Sequence, residues 1–141
     1  MFTIIFPVLN ERLRLENGVT RTVEYLQSIA FEDYEIIIVD NGSEDETPQI
    51  AEKLCKKYDK VRYERINVRG VGAAFRRGVK VSHGDVVGYM DIDLSTNIRH
   101  LGEAIHLFGT QPEIQYINGS RFARESDTRG RKWYRRITSQ G

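Results

Sequence analysis

The chain has 141 residues, 40% of them apolar and 29% charged, with a formal net charge of +1. That length holds one domain around one core, and so even a charge balance excludes a whole-chain surface built to grip nucleic acid. The only cysteine is Cys55, which excludes an intrachain disulfide and makes a reducing compartment the expectation.

The N-terminus opens directly on a strand-like apolar run at residues 2–6, with neither the charged start nor the long apolar stretch of a signal peptide. No stretch approaches the ~20 apolar residues that span a bilayer, so any membrane role is expected to be peripheral. Val19, Val23, Leu26 and Ile29 then recur at spacings of three and four, which predicts a helix. A second continuous apolar run fills 36–39. Thr47-Pro48 reads as a helix start, a capping hydroxyl followed by proline where no backbone donor is needed. Ile50, Leu54 and Tyr58 continue its apolar face, and Cys55 within it reads as a buried bystander thiol. A weaker strand follows at Val61–Arg65, then a helix over 72–82, a strand over 86–90, a helix over 98–108 and a last weak strand over 114–117. From 119 to 141, seven Lys or Arg face only Glu125 and Asp127, a local charge of +5. Such a cluster suits either a solvated end or a phosphate or anionic lipid.

Strands alternating with helices predict a single α/β domain over 1–141, with a mainly parallel sheet. Continuous rather than alternating apolarity predicts strands covered on both faces. Parallel crossovers put all strand C-termini on one edge, where ligands bind. Residues just after each strand therefore form a set: Pro7 to Glu11, Asp40-Asn41-Gly42-Ser43, Asn67 to Gly72, and Asp91-Ile92-Asp93. Carboxylates stand at three of these four ends.

Asp91 and Asp93 flank Ile92 at the end of an apolar strand. If the extended conformation continues, the two carboxylates share one side, and paired hard oxygens suit Mg²⁺ or Mn²⁺ bridging to a diphosphate. Asp40 ends YEIIIVD; it suits a carboxylate accepting a hydrogen bond from a base N–H, or a plain cap for the next helix. Gly70 and Gly72, in the run from Arg69 to Arg76, let backbone approach a phosphate at a helix N-terminus. The dinucleotide fingerprint would need a third glycine where Phe75 stands and should follow the first strand, which excludes a Rossmann dehydrogenase. There is no Walker-type Gly-Lys-Ser/Thr. His83, His100 and His106 lack metal-ligand spacing, and His100 and His106 read as solvent-facing.

Taken in order, FPVLNE, IIIVDNGSEDET, RGVGAAFRRG, GDVVGYMDIDLST and INGSR resemble family 2 glycosyltransferases of the GT-A fold. The resemblance covers nearly the whole chain and is strongest to polyprenyl (dolichyl) phosphate hexose synthases, which move glucose or mannose from a nucleotide donor to a lipid phosphate. It implies a Rossmann-like, three-layer α/β domain with helices on both faces of the sheet. It further implies that Pro7, Asn10 and Glu11 line the nucleoside pocket, that Asp40 reads the base, and that Asp91 and Asp93 hold Mg²⁺ or Mn²⁺ on the donor diphosphate. Arg121, and Arg135 within RKWYRRITSQG, match arginines that grip the acceptor phosphate, which a planar guanidinium suits. The expected activity is an inverting hexosyl transfer from a UDP-glucose or GDP-mannose type donor to a polyprenyl phosphate, with peripheral contact at the cytoplasmic membrane face.

The chain departs from that family at three places. Asn41 replaces the second acid of its usual Asp-Asp-Gly-Ser, so Asp40 alone can be the charged base reader. Val71 stands where many relatives have lysine, leaving phosphate neutralisation to Arg69 or Arg76. The family also continues well past the position of Gly141, so the acceptor-side part is expected to be missing. Other readings remain open: a family 2 enzyme acting on a saccharide hydroxyl, and a nucleotide-sugar-binding fragment without turnover. A nucleotidyltransferase fits less well, since it wants a glycine-rich basic loop where this chain has VLNER.

Overall fold

The structure is a computed structural model that describes residues 1–119. The chain divides into two compact units, Met1–His106 and Leu107–Gly141. In the first, strands β1 (Phe2–Val8), β2 (Tyr34–Asp40), β3 (Val61–Arg65) and β4 (Val86–Tyr89) alternate with helices α1 (Leu15–Ser28), α2 (Thr47–Lys57) and α3 (Val71–Val81). Helix α4 (Arg99–Thr110) begins in the first unit and ends in the second. The weak strand expected over 114–117 is absent: these residues have no regular structure. Tyr116 is 79% exposed, and a strand needs a ladder partner that the described residues do not supply.

The four strands form one parallel sheet in the order β3-β2-β1-β4. The order records how the chain was laid down. From β1 it steps through α1 to β2 and through α2 to β3, always outward. It then returns through α3 to the far side of β1. With right-handed crossovers, such a reversal sends α3 to the opposite face from α1 and α2. The packing agrees. Helix α3 covers Ile5, Ile37 and Val39 with Ala74. On the other face Ile4, Phe6, Ile36 and Ile38 are buried to within 1%, while α1 and α2 pack on each other and α2 reaches β2 and β3. Burying both faces of β1 and β2 is what their unbroken apolar runs required, each fully buried Ile contributing about 1.5–3 kcal/mol.

The helices follow their apolar spacing. Leu15, Val19, Thr22, Val23 and Leu26 form the buried stripe of α1. Ile29, expected on that stripe, lies one residue past the helix and is 41% exposed. Helix α2 carries proline in its first turn as predicted, but Thr47 is its first residue rather than its cap. The turn is closed instead by Asp45, whose Oδ1 accepts the Thr47 N–H at 2.9 Å. Cys55 is half-buried, and burial pushes its thiol up, as for an inert cysteine.

Candidate functional site

A ligand crevice in an open parallel sheet lies outside the strand C-termini, where the strand order reverses. Here that point falls between β1 and β4, and Pro7 marks where the crevice opens. Ile5 still accepts the Met90 N–H at 3.0 Å, the last rung toward β4. Backbone groups alternate sides along a strand, so residue 7 faces the same way as Ile5. A proline in an interior strand would normally cost a ladder bond. At position 7 the neighbour has already turned away, so none is lost.

Beyond this split stand Asp91 and Asp93. The sequence argument placed both on one side of a continuing strand. The structure departs from that premise: β4 ends at Tyr89, and a turn closes through Leu94 N–H to Asp91 O at 3.1 Å. Asp91 and Asp93 are exposed while Ile92 between them is buried. Asp93 Oδ1 accepts the Ser95 N–H at 2.9 Å. Both carboxylates lie close enough to act on Glu11 in the loop after β1. Burial raises the Glu11 pKa, Arg14 opposes it, and Asp93, Asp45 and Asp91 each push it higher. Around Glu11 the crevice is thus a concentration of negative charge that Arg14 only partly opposes. No group of three or more His, Cys, Asp or Glu among the described residues could hold a metal unaided. Two carboxylates suit a hard cation that takes its remaining ligands from a diphosphate, so the residues present fit Mg²⁺ or Mn²⁺.

Asn10 and Glu11 do something that the sequence did not disclose. The loop after β1 is laced to the loop after β2. Asn10 adopts left-handed backbone, φ 54°, which asparagine tolerates. Its N–H donates to Ser43 Oγ at 2.9 Å, and its Oδ1 accepts the Glu44 N–H at 2.9 Å. Glu11 N–H donates to Thr47 Oγ1 at 2.8 Å, and Arg12 N–H to Asp45 Oδ2 at 3.3 Å. Asn41 N–H returns to Val8 O at 2.9 Å. The Thr47 hydroxyl, expected to cap its own helix, is spent here on a residue 36 positions away.

Asp40 ends β2 and is fully buried. Its Oδ1 accepts the N–H groups of Gly42 (3.1 Å) and Ser43 (2.7 Å). Its Oδ2 accepts the Tyr63 hydroxyl at 2.8 Å and the Arg65 guanidinium at 3.3 Å. Arg65 also donates to Ser43 O at 2.9 Å. Burial and the bond to Asp40 push the Tyr63 phenol up to about 12. Tyr63 and Arg65 were not singled out in the sequence. Their signal was their i, i+2 spacing on the strand paired with β2, which puts both on one face.

Gly70 and Gly72 stand at the start of α3, which has no side-chain cap. Gly70 needs its glycine for φ 129°. Gly72 does not: a β-carbon there would meet nothing within 4 Å, so the space in front of it is open. Arg76 is exposed in the next turn, whereas Arg77 is held by Glu64 at 2.8 Å. Arg121 and Arg135 lie outside the described residues.

A second polar cluster sits at the opposite edge of the sheet. Glu35, buried, accepts from the Thr3 hydroxyl (2.8 Å), the His83 N–H (2.6 Å) and Arg62 (3.0 Å). Burial works against its ionisation, but these hydrogen bonds and the His83 ring outweigh it and bring its pKa down to about 2. His100 is exposed, beside Glu103, as its sequence position suggested.

Residues 3–140 match the family described as Glycosyl transferase family 2, and the chain belongs to that family. It is 32% identical over 139 residues to the dolichol-phosphate mannosyltransferase of Pyrococcus furiosus, covering 99% of this chain and 38% of that protein. It is 39% identical over 101 residues to the dolichyl-phosphate beta-glucosyltransferase of Mus musculus, covering 67% of this chain and 31% of that protein. The chain therefore spans between 31% and 38% of the length of these curated relatives. Among solved structures it resembles glucosyl-3-phosphoglycerate synthase from Mycobacterium tuberculosis in complex with Mn²⁺, UDP and glucosyl-3-phosphoglycerate. The TM-score is 0.60 at 24% identity, covering 78% of this chain and 40% of that one. The shared fold is the GT-A glycosyltransferase fold, as the sequence implied. No helix among the described residues is long and apolar enough to cross a membrane.

Proposed function

We propose that residues 1–141 are the donor-binding domain of a hexosyltransferase that moves glucose or mannose from a nucleotide diphosphate sugar to a polyprenyl phosphate, with inversion. The observation that carries this reading is the gathering of Glu11, Asp91 and Asp93 where β1 and β4 part, since a site so negative is suited to a cation-bound diphosphate. Asp91 and Asp93 would hold Mg²⁺ or Mn²⁺. A bound cation there supplies charge neutralisation for the departing nucleoside diphosphate.

The chain's own residues do the rest. Pro7, Asn10 and Glu11 border the nucleoside, and Asp40 accepts the base N–H. Gly70 and Gly72 bring the α3 N-terminus up to the diphosphate, with Arg76 beside it. Arg121 and Arg135 grip the acceptor phosphate. An oxygen of that phosphate attacks the anomeric carbon from the face opposite the diphosphate; the new C–O bond forms as the bond to the nucleoside diphosphate breaks. A lipid monophosphate has its second pKa at about 6, so no base need take a proton at neutral pH. The acceptor places this chemistry at the cytoplasmic membrane face through peripheral contact.

Transfer of label from UDP-glucose and from GDP-mannose, with polyprenyl phosphate, with a saccharide acceptor and with neither, tests the reading in the natural full-length protein. Label moving only to the saccharide overturns the lipid acceptor. Donor binding without transfer to any acceptor reduces the domain to a nucleotide-sugar-binding module.

A further inference from the structure

Asp40 is the one site carboxylate that the fold encloses completely, and every bond it can readily accept is already filled from within the chain. A base donor can reach the Asp40 carboxylate only if one of these four donors leaves. Two of them, Gly42 and Ser43 N–H, belong to the turn that Asp40 itself shapes. Tyr63 is half-buried and holds Oδ2 at 2.8 Å. Arg65 differs from all three. Its side chain is 44% exposed, and its 3.3 Å contact is the longest of the four.

We infer that Arg65 is a displaceable occupant of the base-reading position: its guanidinium holds the Asp40 oxygen that a ring N–H of an incoming base takes, so base binding and Arg65 release are one exchange. The inference rests on Asp40 reading the base, as proposed above. Donor replaces donor, and the buried carboxylate is never left short of a partner, which would cost far more than the exchange. The same count selects the ligand. Uracil and guanine carry a ring N–H flanked by a carbonyl. Cytosine and adenine present a lone pair at that ring position, which would meet the lone pairs of Oδ2 and cannot replace Arg65. Arg65 therefore acts as a specificity-determining residue: it makes every ligand lacking the ring donor worse than an empty site.

Calorimetric titration of the chain with UDP, GDP and CDP in Mg²⁺ tests this on the parent, Arg65→Met and Arg65→Gln. Of UDP and GDP, the one that the parent binds should bind Arg65→Met about three- to tenfold more tightly, the worth of one partly exposed charged hydrogen bond. Arg65→Gln should fall between, and CDP should not gain. Thermal melts of both variants check that they fold. If folded Arg65 variants bind that nucleotide equally or more weakly, the displaceable-arginine inference is overturned. A parent that binds UDP, GDP and CDP alike, or none of them, removes the base-reading role of Asp40 itself.

Discussion

Gly18, in the second turn of α1, lies against the backbone of Ile92, the residue between Asp91 and Asp93. A β-carbon at position 18 would stand 2.3 Å from the Ile92 carbonyl oxygen and 2.7 Å from its Cδ1. Ile92 is 4% exposed while its two acidic neighbours are exposed. The aspartates therefore take their place from the backbone between them, and that backbone takes its place from a glycine some 74 residues earlier in the chain.

Gly18→Ala should push the Asp91–Asp93 turn outward. We expect a loss of about 1–3 kcal/mol in stability, the usual cost of overpacking. We also expect donor nucleotide to lose most of the extra stabilisation it gains with Mn²⁺ over chelator. Thermal-shift measurements read both effects, and a variant that keeps the full Mn²⁺ increment would show that the turn tolerates displacement.

Asp91→Asn with Asp93→Asn removes the charge without moving the backbone. The metal-dependent part of nucleotide stabilisation should disappear while the apo melting temperature holds or rises, because Glu11 loses two negative neighbours. Equal stabilisation by nucleotide and Mn²⁺ in parent and double variant would place the cation elsewhere.

Most of the scaffold was legible in the sequence because β1 and β2 are covered on both faces, which leaves an unbroken apolar run. What was not legible depended on distant partners. Nothing local to Thr47 announces that its hydroxyl serves Glu11 rather than its own helix. Nothing in 86–93 announces that the strand ends at Tyr89 and that a turn, not strand alternation, sets out the two aspartates. The order β3-β2-β1-β4 was equally hidden, since strand order is fixed by crossovers rather than by strand composition. Asp40 was read correctly as the polar end of β2, but its enclosure by Tyr63 and Arg65 required the register of β3.

Glu35 gives the fold an acid limit. Its pKa lies near 2 in the folded chain against an ordinary value of 4.5, so its contribution is fully present above about pH 4.5 and is lost as pH falls toward 2. At about 1.4 kcal/mol per pKa unit, somewhat discounted for the partly exposed Arg62, this amounts to about 2–3 kcal/mol. Glu35→Gln should melt lower than the parent at pH 7, and the gap should close as the buffer approaches pH 2. A gap that is constant with pH would mean that packing, not ionisation, is what the variant loses.

Glu11 has the opposite sign. Its folded pKa is raised, so the folded chain is favoured while Glu11 is protonated and loses stability as pH rises through that pKa. Glu11→Gln should therefore melt higher than the parent at pH 7 without nucleotide, and the two should converge below the ordinary carboxyl range. Melting curves at pH 4 and pH 7 decide it.

Arg121→Ala and Arg135→Ala, made in the natural full-length protein, should cripple transfer to polyprenyl phosphate and leave donor binding nearly normal, as expected of acceptor-side groups. Transfer should also fall below about pH 6 as the lipid phosphate gains a proton. Parental rates in both variants would favour a saccharide acceptor.

The lacing of residues 10–12 to residues 43–47 has a consequence for anyone who recombines this scaffold with a relative. Each loop supplies the hydrogen-bond complement of the other, so neither is a portable cassette. Transplanting the β2–α2 loop alone would strand the Asn10, Glu11 and Arg12 amides without acceptors. The two loops form one heritable part, and only chimaeras that exchange them together should keep the hydrogen bonds that join them.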